Sequence, residues 1–327
     1  MLISAMLFIV GLLLLAYGSD RLVFSAAVLS RMVGISPLII GGVIVGLGTS
    51  LPEIILSFSA SQQGLRELAV GLALGSNIIN VLLILGIALI IRPIALHSAL
   101  LRHELPLMLL VTLLAGLALI NNQLTFWDGV TLLFVGVLYL YGMIHLIKRT
   151  SSMPPDKLTE EQLSVLPDQH ISFAVALLWL GVALVLLPVA THMIVDNAVV
   201  VANFLGLSQR VIGLLFLSIG TSLPELATVI AGMMRGQQHL AIGNLVGAHI
   251  YNLALVLGLP ALLDPGRISE KAFNHDFWLV FIASSLLTLL CLKKNKINGR
   301  IIGIILLTGF VGWAIWLCCP LKLVLTS

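Results

Sequence analysis

The chain has 327 residues, 59% of them hydrophobic and 9% charged, with a mean hydropathy of +1.13. Soluble domains carry about 25% charged residues and disordered chains are poor in hydrophobic ones, so neither class fits. The formal net charge of +3 is spread thinly, with no basic patch that could hold nucleic acid. The composition is that of an all-α polytopic membrane protein whose surroundings are the lipid bilayer. At about 20 apolar residues per span there is room for roughly ten transmembrane helices.

Apolar runs and their polar breaks predict spans at 3–30, 37–60, 67–91, 104–120 and 127–147, then at 171–203, 210–234, 240–263, 276–292 and 301–320. The first run has no Lys or Arg before Arg21, which argues against a cleaved leader and for a retained helix. The least apolar stretch, 148–170, reads as a cytoplasmic linker between a first five-helix repeat (1–147) and a second (171–327). Of the 17 Lys and Arg residues, 12 (counting Arg21) fall on the side that follows the odd-numbered spans and 5 on the other. Positive charge marks the inside, so both termini are expected outside.

An internal repeat runs through the two halves. Gly48-Thr49-Ser50-Leu51-Pro52-Glu53 recurs unchanged as Gly220-Thr221-Ser222-Leu223-Pro224-Glu225, an offset of 172 residues. The stretch from Gly71 through Gly75-Ser76-Asn77 to Asn80 recurs more loosely from Gly243 through Gly247-Ala248-His249 to Asn252, at the same offset. Gly34 and Ser36 with Gly206 and Ser208, and His103-Glu104 with His275-Asp276, are weaker echoes of it. Repeat elements are thus expected at 46–53 and 71–86, and at 218–225 and 243–258. Five spans per repeat is an odd number, so the halves must enter the membrane from opposite sides. Such inverted repeats are the architecture of secondary transporters, with the ion site near the midplane.

The duplicated motif has a chemistry of its own. Glu53 and Glu225 lie inside apolar segments, where an ionisable residue is costly and points to function. Thr49 and Ser50 precede Glu53 by four and three residues, so all three oxygens can share one helix face, and Thr221 and Ser222 repeat this before Glu225. Pro52 and Pro224 lack an N–H, which releases the carbonyls of Gly48 and Gly220. An all-oxygen set suits a hard cation such as Ca²⁺, with Na⁺ as competitor. Asn80 and Asn252 add amide oxygens, and Ser76 a hydroxyl one turn before Asn80. Gly71 and Gly75, with Gly243 and Gly247, offer small surfaces for close helix approach. Without His/Cys pairs the set is a poor match for zinc or copper.

These paired elements resemble the α-repeats of the cation/calcium exchanger superfamily, and in length and organisation the chain is similar to its bacterial sodium/calcium-exchanger-like members. The resemblance implies the sodium/calcium exchanger fold, ten helices in two inverted repeats, in the bacterial cytoplasmic membrane. It implies antiport of Ca²⁺ against a monovalent cation, with no cofactor. It places Ca²⁺ between Glu53, Glu225, Thr49 and Thr221, with main-chain carbonyls of Gly46 and Ser218 as further ligands. Ser50, Ser222, Asn80 and Asn252 would line flanking monovalent-ion or water positions, and Ser76 an outer one. The first and sixth helices would slide across a fixed core. The second half departs from the pattern: Ala248 replaces the equivalent of Ser76, and His249 that of Asn77. Two carboxylates neutralise one Ca²⁺ or two H⁺, and burial disfavours their charged forms, so proton coupling competes with Na⁺ coupling. A relative moving K⁺ or Mn²⁺, an intramembrane enzyme using the paired glutamates, and a channel are the alternatives.

Of the other polar residues, His249 reads first as a packing or inter-helix residue, although it stands three residues before Asn252. Asp20 and Asp196 read as gating, counter-charge or interface residues. His103-Glu104 and His275-Asp276 read as interfacial helix starts. Cys291, Cys318 and Cys319 have no metal-ligand spacing and read as packing residues.

Overall fold

The computed structural model describes residues 2–32, 46–92, 99–150, 172–235, 238–292 and 299–318. Apart from a two-residue antiparallel pairing of Gln123-Leu124 with Gly266-Arg267, the regular elements among these residues are helical. Seven helical segments are long and apolar enough to cross a membrane: Leu2–Leu22, Arg66–Ile91, Phe126–His145, Phe173–Ala198, Ala241–Leu263, Ala272–Cys291 and Gly299–Cys318. A bent pair, Gln209–Thr221 with Leu223–Met234, makes an eighth, and Glu104–Leu119 is a shorter apolar helix. Of the expected span 37–60, residues 37–45 lie outside the described residues, and the rest forms the short helices Gly46–Thr49 and Leu51–Gln62. Most of the expected linker 148–170 also lies outside them, as does Cys319.

Burial sorts the helices into an inner and an outer set. From Leu68 to Val81, and from Leu245 to Ala254, every side chain is buried. Leu2–Met32, Phe126–Thr150, Phe173–Leu205 and Gly299–Cys318 instead carry exposed side chains such as Leu13, Phe134, Leu184 and Ile305 along one face. So much contiguous apolar surface needs lipid as its solvent. The protein is a multi-pass membrane protein.

The two halves interleave. The Phe126–Thr150 helix packs on the second half, Gly129 against the backbone of Leu262, and Gly299–Cys318 packs on the first, Gly303 against the carbonyl of Gly86. The two longest helices, Leu2–Met32 and Phe173–Leu205, lie against each other, with Gly11 meeting Ile194 and Gly18 meeting Leu187. The Gly206/Ser208 echo acquires a local meaning here. Gly206 ends a helix with φ +63°, and the Ser208 hydroxyl caps the next by accepting from the Val211 N–H at 3.4 Å.

Polar contacts near the helix ends join the two halves at some points and brace a single half at others. Arg66 donates to the Asp264 carboxylate and to the carbonyls of Asp264 and Arg267, while Glu67 accepts from the Ser269 N–H. Arg210 forms an ion pair with Asp276, both almost fully buried. This corrects the reading of His275-Asp276 and His103-Glu104 as interfacial helix starts, at least for the acids. Asp276 is 1% exposed and Glu104 5%, the latter accepting from the Tyr139 hydroxyl at 3.3 Å. Helices already begin at Ala99 and Ala272, so each acid stands within a packed turn. Asp20 pairs with Arg21 and Asp196 faces His192 at 3.9 Å, both acids well exposed.

Removing one member of a buried ion pair strands the other charge. Arg210→Met is expected to destabilise the fold by about 3–5 kcal/mol, and Arg210→Met with Asp276→Leu to recover most of that loss. Thermal unfolding in detergent measures both, and equal melting temperatures for parent and single variant would contradict the ion pair.

Candidate ion-binding site

The repeated hexapeptides form two broken helices. Each break falls on the motif serine, with φ/ψ of −88°/4° at Ser50 and −83°/9° at Ser222. At the second break the helix axis turns by 43°. Proline sits at the second residue of each following helix, where an N–H would have no intrahelical partner, so the break costs little backbone bonding. Glu53 and Glu225 fall in the first turn of those helices, where the helix dipole favours a carboxylate. The preceding half-helices, Gly46–Thr49 and Ser218–Thr221, end here with the opposite polarity, and free carbonyls at such ends suit a cation.

The two breaks meet. The Ser50 hydroxyl donates to Glu225 Oε1 at 3.4 Å, and the Ser222 hydroxyl donates to Glu53 Oε1 at 3.1 Å. Residues related by the 172-residue offset therefore make the same contact in both directions. Glu53 and Glu225 are 0% and 1% exposed, and Oε2 of each has no hydrogen-bond partner. An unpartnered buried carboxylate oxygen is expensive unless something outside the protein satisfies it.

The remaining predicted residues lie around this pair. Thr221 stands beside Glu53 and also donates to the Leu217 carbonyl at 3.0 Å, while Thr49 reaches Asn244 Oδ1 at 3.5 Å. The Ser218 carbonyl already accepts the Ser222 N–H at 3.1 Å, and the Ser50 N–H goes to the Leu47 carbonyl at 3.1 Å. The Ser218 hydroxyl lies within donating reach of two carbonyls, Gly213 at 2.8 Å and Leu72 at 3.1 Å, and the second of these contacts joins the second broken helix to the first half. Ser76 and Asn80 are buried, with the Ser76 hydroxyl and both Asn80 amide atoms unpartnered. Asn252 donates to Asn77 Oδ1 at 3.2 Å and leaves its own Oδ1 unpartnered. Both asparagines open a π-helical turn, Asn80–Leu85 and Asn252–Val256, an irregularity common at functional sites.

Two residues were absent from the expected set. Asn77 holds Asn252, and Asn244 meets Thr49. Asn244 replaces Leu72 in the repeat, and that polar-for-apolar change is the signal that could have marked it. No group of three or more His, Cys, Asp or Glu residues fit to hold a metal occurs among the described residues. The oxygen donors are instead paired carboxylates, hydroxyls and amides, a hard-cation set.

The family profile described as "Sodium/calcium exchanger protein" matches residues 3–145 and 175–318. The chain belongs to the sodium/calcium exchanger family. This family member is 50% identical over 313 residues to the inner membrane protein YrbG of Escherichia coli (strain K12), covering 96% of each chain. It is 39% identical to the putative antiporter CaxA of Alkalimonas amylolytica, over 96% of this chain and 98% of that one. Among solved structures it resembles the sodium-calcium exchanger NCX_Mj at a TM-score of 0.63 and 29% identity, covering 94% and 96% of the two chains. A family of exchangers makes this chain a transporter, not an enzyme.

Proposed function

We propose that the protein is a secondary active antiporter that exchanges Ca²⁺ for Na⁺ by alternating access. In this reading it has ten transmembrane helices in two inverted halves, 1–147 and 171–327 joined by the linker 148–170, and lies in the bacterial cytoplasmic membrane with both termini outside. The observation that carries the reading is the reciprocal pairing of Glu53 with Ser222 and of Glu225 with Ser50, which leaves one buried oxygen of each carboxylate unpartnered. Ca²⁺ takes those two oxygens together with Thr49 and Thr221 and the carbonyls of Gly46 and Ser218. Ser50, Ser222, Asn80, Asn252 and Ser76 serve the flanking monovalent positions. The Leu2–Met32 and Phe173–Leu205 helices, packed on each other and touching the motif helices through contacts such as Leu12 on Gly220, form the element that moves.

Ala248 favours a second reading of the counter-ion. It supplies no side-chain oxygen where Ser76 does, while two carboxylates are well suited to accept two protons. The test is ⁴⁵Ca²⁺ uptake into proteoliposomes loaded with Na⁺, or at an acidic internal pH without Na⁺. Uptake driven by internal Na⁺ is expected. Uptake driven by internal protons alone would exchange the counter-ion and keep the site, and uptake driven by neither would overturn Ca²⁺ antiport.

A further inference from the structure

The internal repeat is broken at several positions beside the site, and the buried His249 is one of them. On the second-half side, Asn77 clamps Asn252: the Asn252 amide donates to Asn77 Oδ1 at 3.2 Å, and the Asn77 amide donates to the main-chain carbonyl of His249 at 3.4 Å. The offset of 172 maps Asn77 onto His249 and Asn252 onto Asn80, so a symmetric chain would clamp Asn80 in the same way. Here it does not. The His249 ring turns to Ser284, with Nε2 at 2.6 Å from the hydroxyl, and both amide atoms of Asn80 are left without a partner.

The bonding around Ser284 fixes that orientation. Ser284 lies 2.7 Å from the Val280 carbonyl, and a Ser284 that gives its single proton to that carbonyl accepts from His249, the arrangement that goes with a ring protonated on Nε2. Thr112, the repeat mate of Ser284, has its hydroxyl oxygen 2.8 Å from the Met108 carbonyl and 3.4 Å from the same Ser284 oxygen. The ring is thus held among groups that have nothing to do with Asn80. Its own Nδ1 is unpartnered and buried.

We infer that His249 is a specificity-determining positioning residue: by engaging Ser284 in place of Asn80, it leaves the Asn80 amide uncommitted and confines the flanking monovalent-cation position to the first-half side. On that side Asn80 Oδ1 and Ser76 Oγ are both free, and Asn80 can rotate to meet an ion or its water. On the other side Asn252 is clamped through its amide nitrogen, which holds its unpartnered Oδ1 in one place, and Ala248 has no oxygen to add. The site has two near-equal carboxylates and a single adaptable flank. The functional half of this inference rests on the exchanger reading, whereas the clamp itself does not.

Double-mutant cycles separate the two. Without ions, in detergent, thermal unfolding of the full chain is compared for the parent, His249→Asn, Asn80→Ala and the double variant. Asn80→Ala is expected to shift the parent by less than about 1 °C and the His249→Asn background by about 2–3 °C, because the asparagine there closes the missing clamp. Additive shifts would overturn the clamp. Should His249→Asn not fold, Asn80→Ala and Asn252→Ala in the parent still decide, since only the second breaks a bond, and equal losses would overturn it. In proteoliposomes, His249→Asn is expected to raise the half-saturating Na⁺ concentration about five-fold, the scale of one hydrogen bond, with the maximal rate within two-fold. The effect should vanish in the Asn80→Ala background and persist in Asn252→Ala. An unchanged Na⁺ dependence in an active exchanger would overturn the specificity role. A parent that moves no Na⁺ at all would instead overturn the exchanger reading, and the melting cycle would stand.

Discussion

Glu53→Gln and Glu225→Gln are each expected to lower Ca²⁺ exchange by about two orders of magnitude or more. Glutamine keeps the shape of the side chain and can still accept from Ser222 or Ser50 through its carbonyl oxygen, so the reciprocal pairing seen at 3.1 and 3.4 Å survives. What disappears is one negative charge and one of the two carboxylate oxygens that have no protein partner. A divalent ion moved from water to a buried site loses a large hydration energy, and only charged, well-placed ligands replace it. Losing about 2.7 kcal/mol of that interaction is a hundred-fold in affinity.

The same substitution has a second signature that separates a damaged site from a damaged fold. In the absence of ions the two buried carboxylates oppose each other, so neither glutamine variant is expected to melt below the parent. Ca²⁺ should raise the melting temperature of the parent through mass action and leave both variants unmoved. Variants that melt normally yet retain exchange within ten-fold of the parent would place the cation elsewhere.

Much of this site is written in the sequence because it is duplicated. A glutamate after Pro in one apolar run is ambiguous, but Gly48–Glu53 repeated as Gly220–Glu225 at a constant offset points to two copies of one structure that must face each other. The helix bounds follow from apolar runs for the same elementary reason that lipid-facing and core-facing positions are both apolar. What the sequence does not carry is which copy touches what. Next to the breaks at Ser50 and Ser222, and at the π-helical turns opened by Asn80 and Asn252, the contacts are between residues about 170 apart, as Ser222 with Glu53 and Asn252 with Asn77. The echo of Glu104 in Asp276 illustrates the limit. Equivalent in sequence, one meets Tyr139 and the other Arg210, because Arg210 has only Leu38 as its counterpart in the first half. Likewise the departure at His249 is visible as a letter, while its consequence for Asn80 needs the position of Ser284.

Gly75→Ala is expected to be as damaging as either glutamine substitution, by a different route. A Cβ on Gly75 would lie 2.2 Å from the Leu214 carbonyl oxygen and 2.4 Å from the Ser218 hydroxyl. One on Gly71 would lie 2.5 Å from the Arg210 carbonyl oxygen, and one on Gly213 would lie 2.3 Å from that of Leu68. Here the first half and the second touch backbone to backbone, with the Ser218 hydroxyl bridging to Leu72 across the seam. No flexible side chain is available to give way, so a single methyl group must push two helices apart. Overpacking of this kind costs typically 1–3 kcal/mol and more when only backbone can move. The displaced segment, Gln209–Thr221, leads directly into Ser222 and Glu225, so exchange should fall even in protein that remains folded. Gly309→Ala is the matched control: nothing lies within 4 Å of its Cβ position, it faces outward on the Gly299–Cys318 helix, and alanine favours the helix. Gly309→Ala should melt at or slightly above the parent and transport normally, while Gly75→Ala should melt several degrees lower and lose Ca²⁺ uptake. Equal behaviour of the two would mean that the halves are not held by this seam.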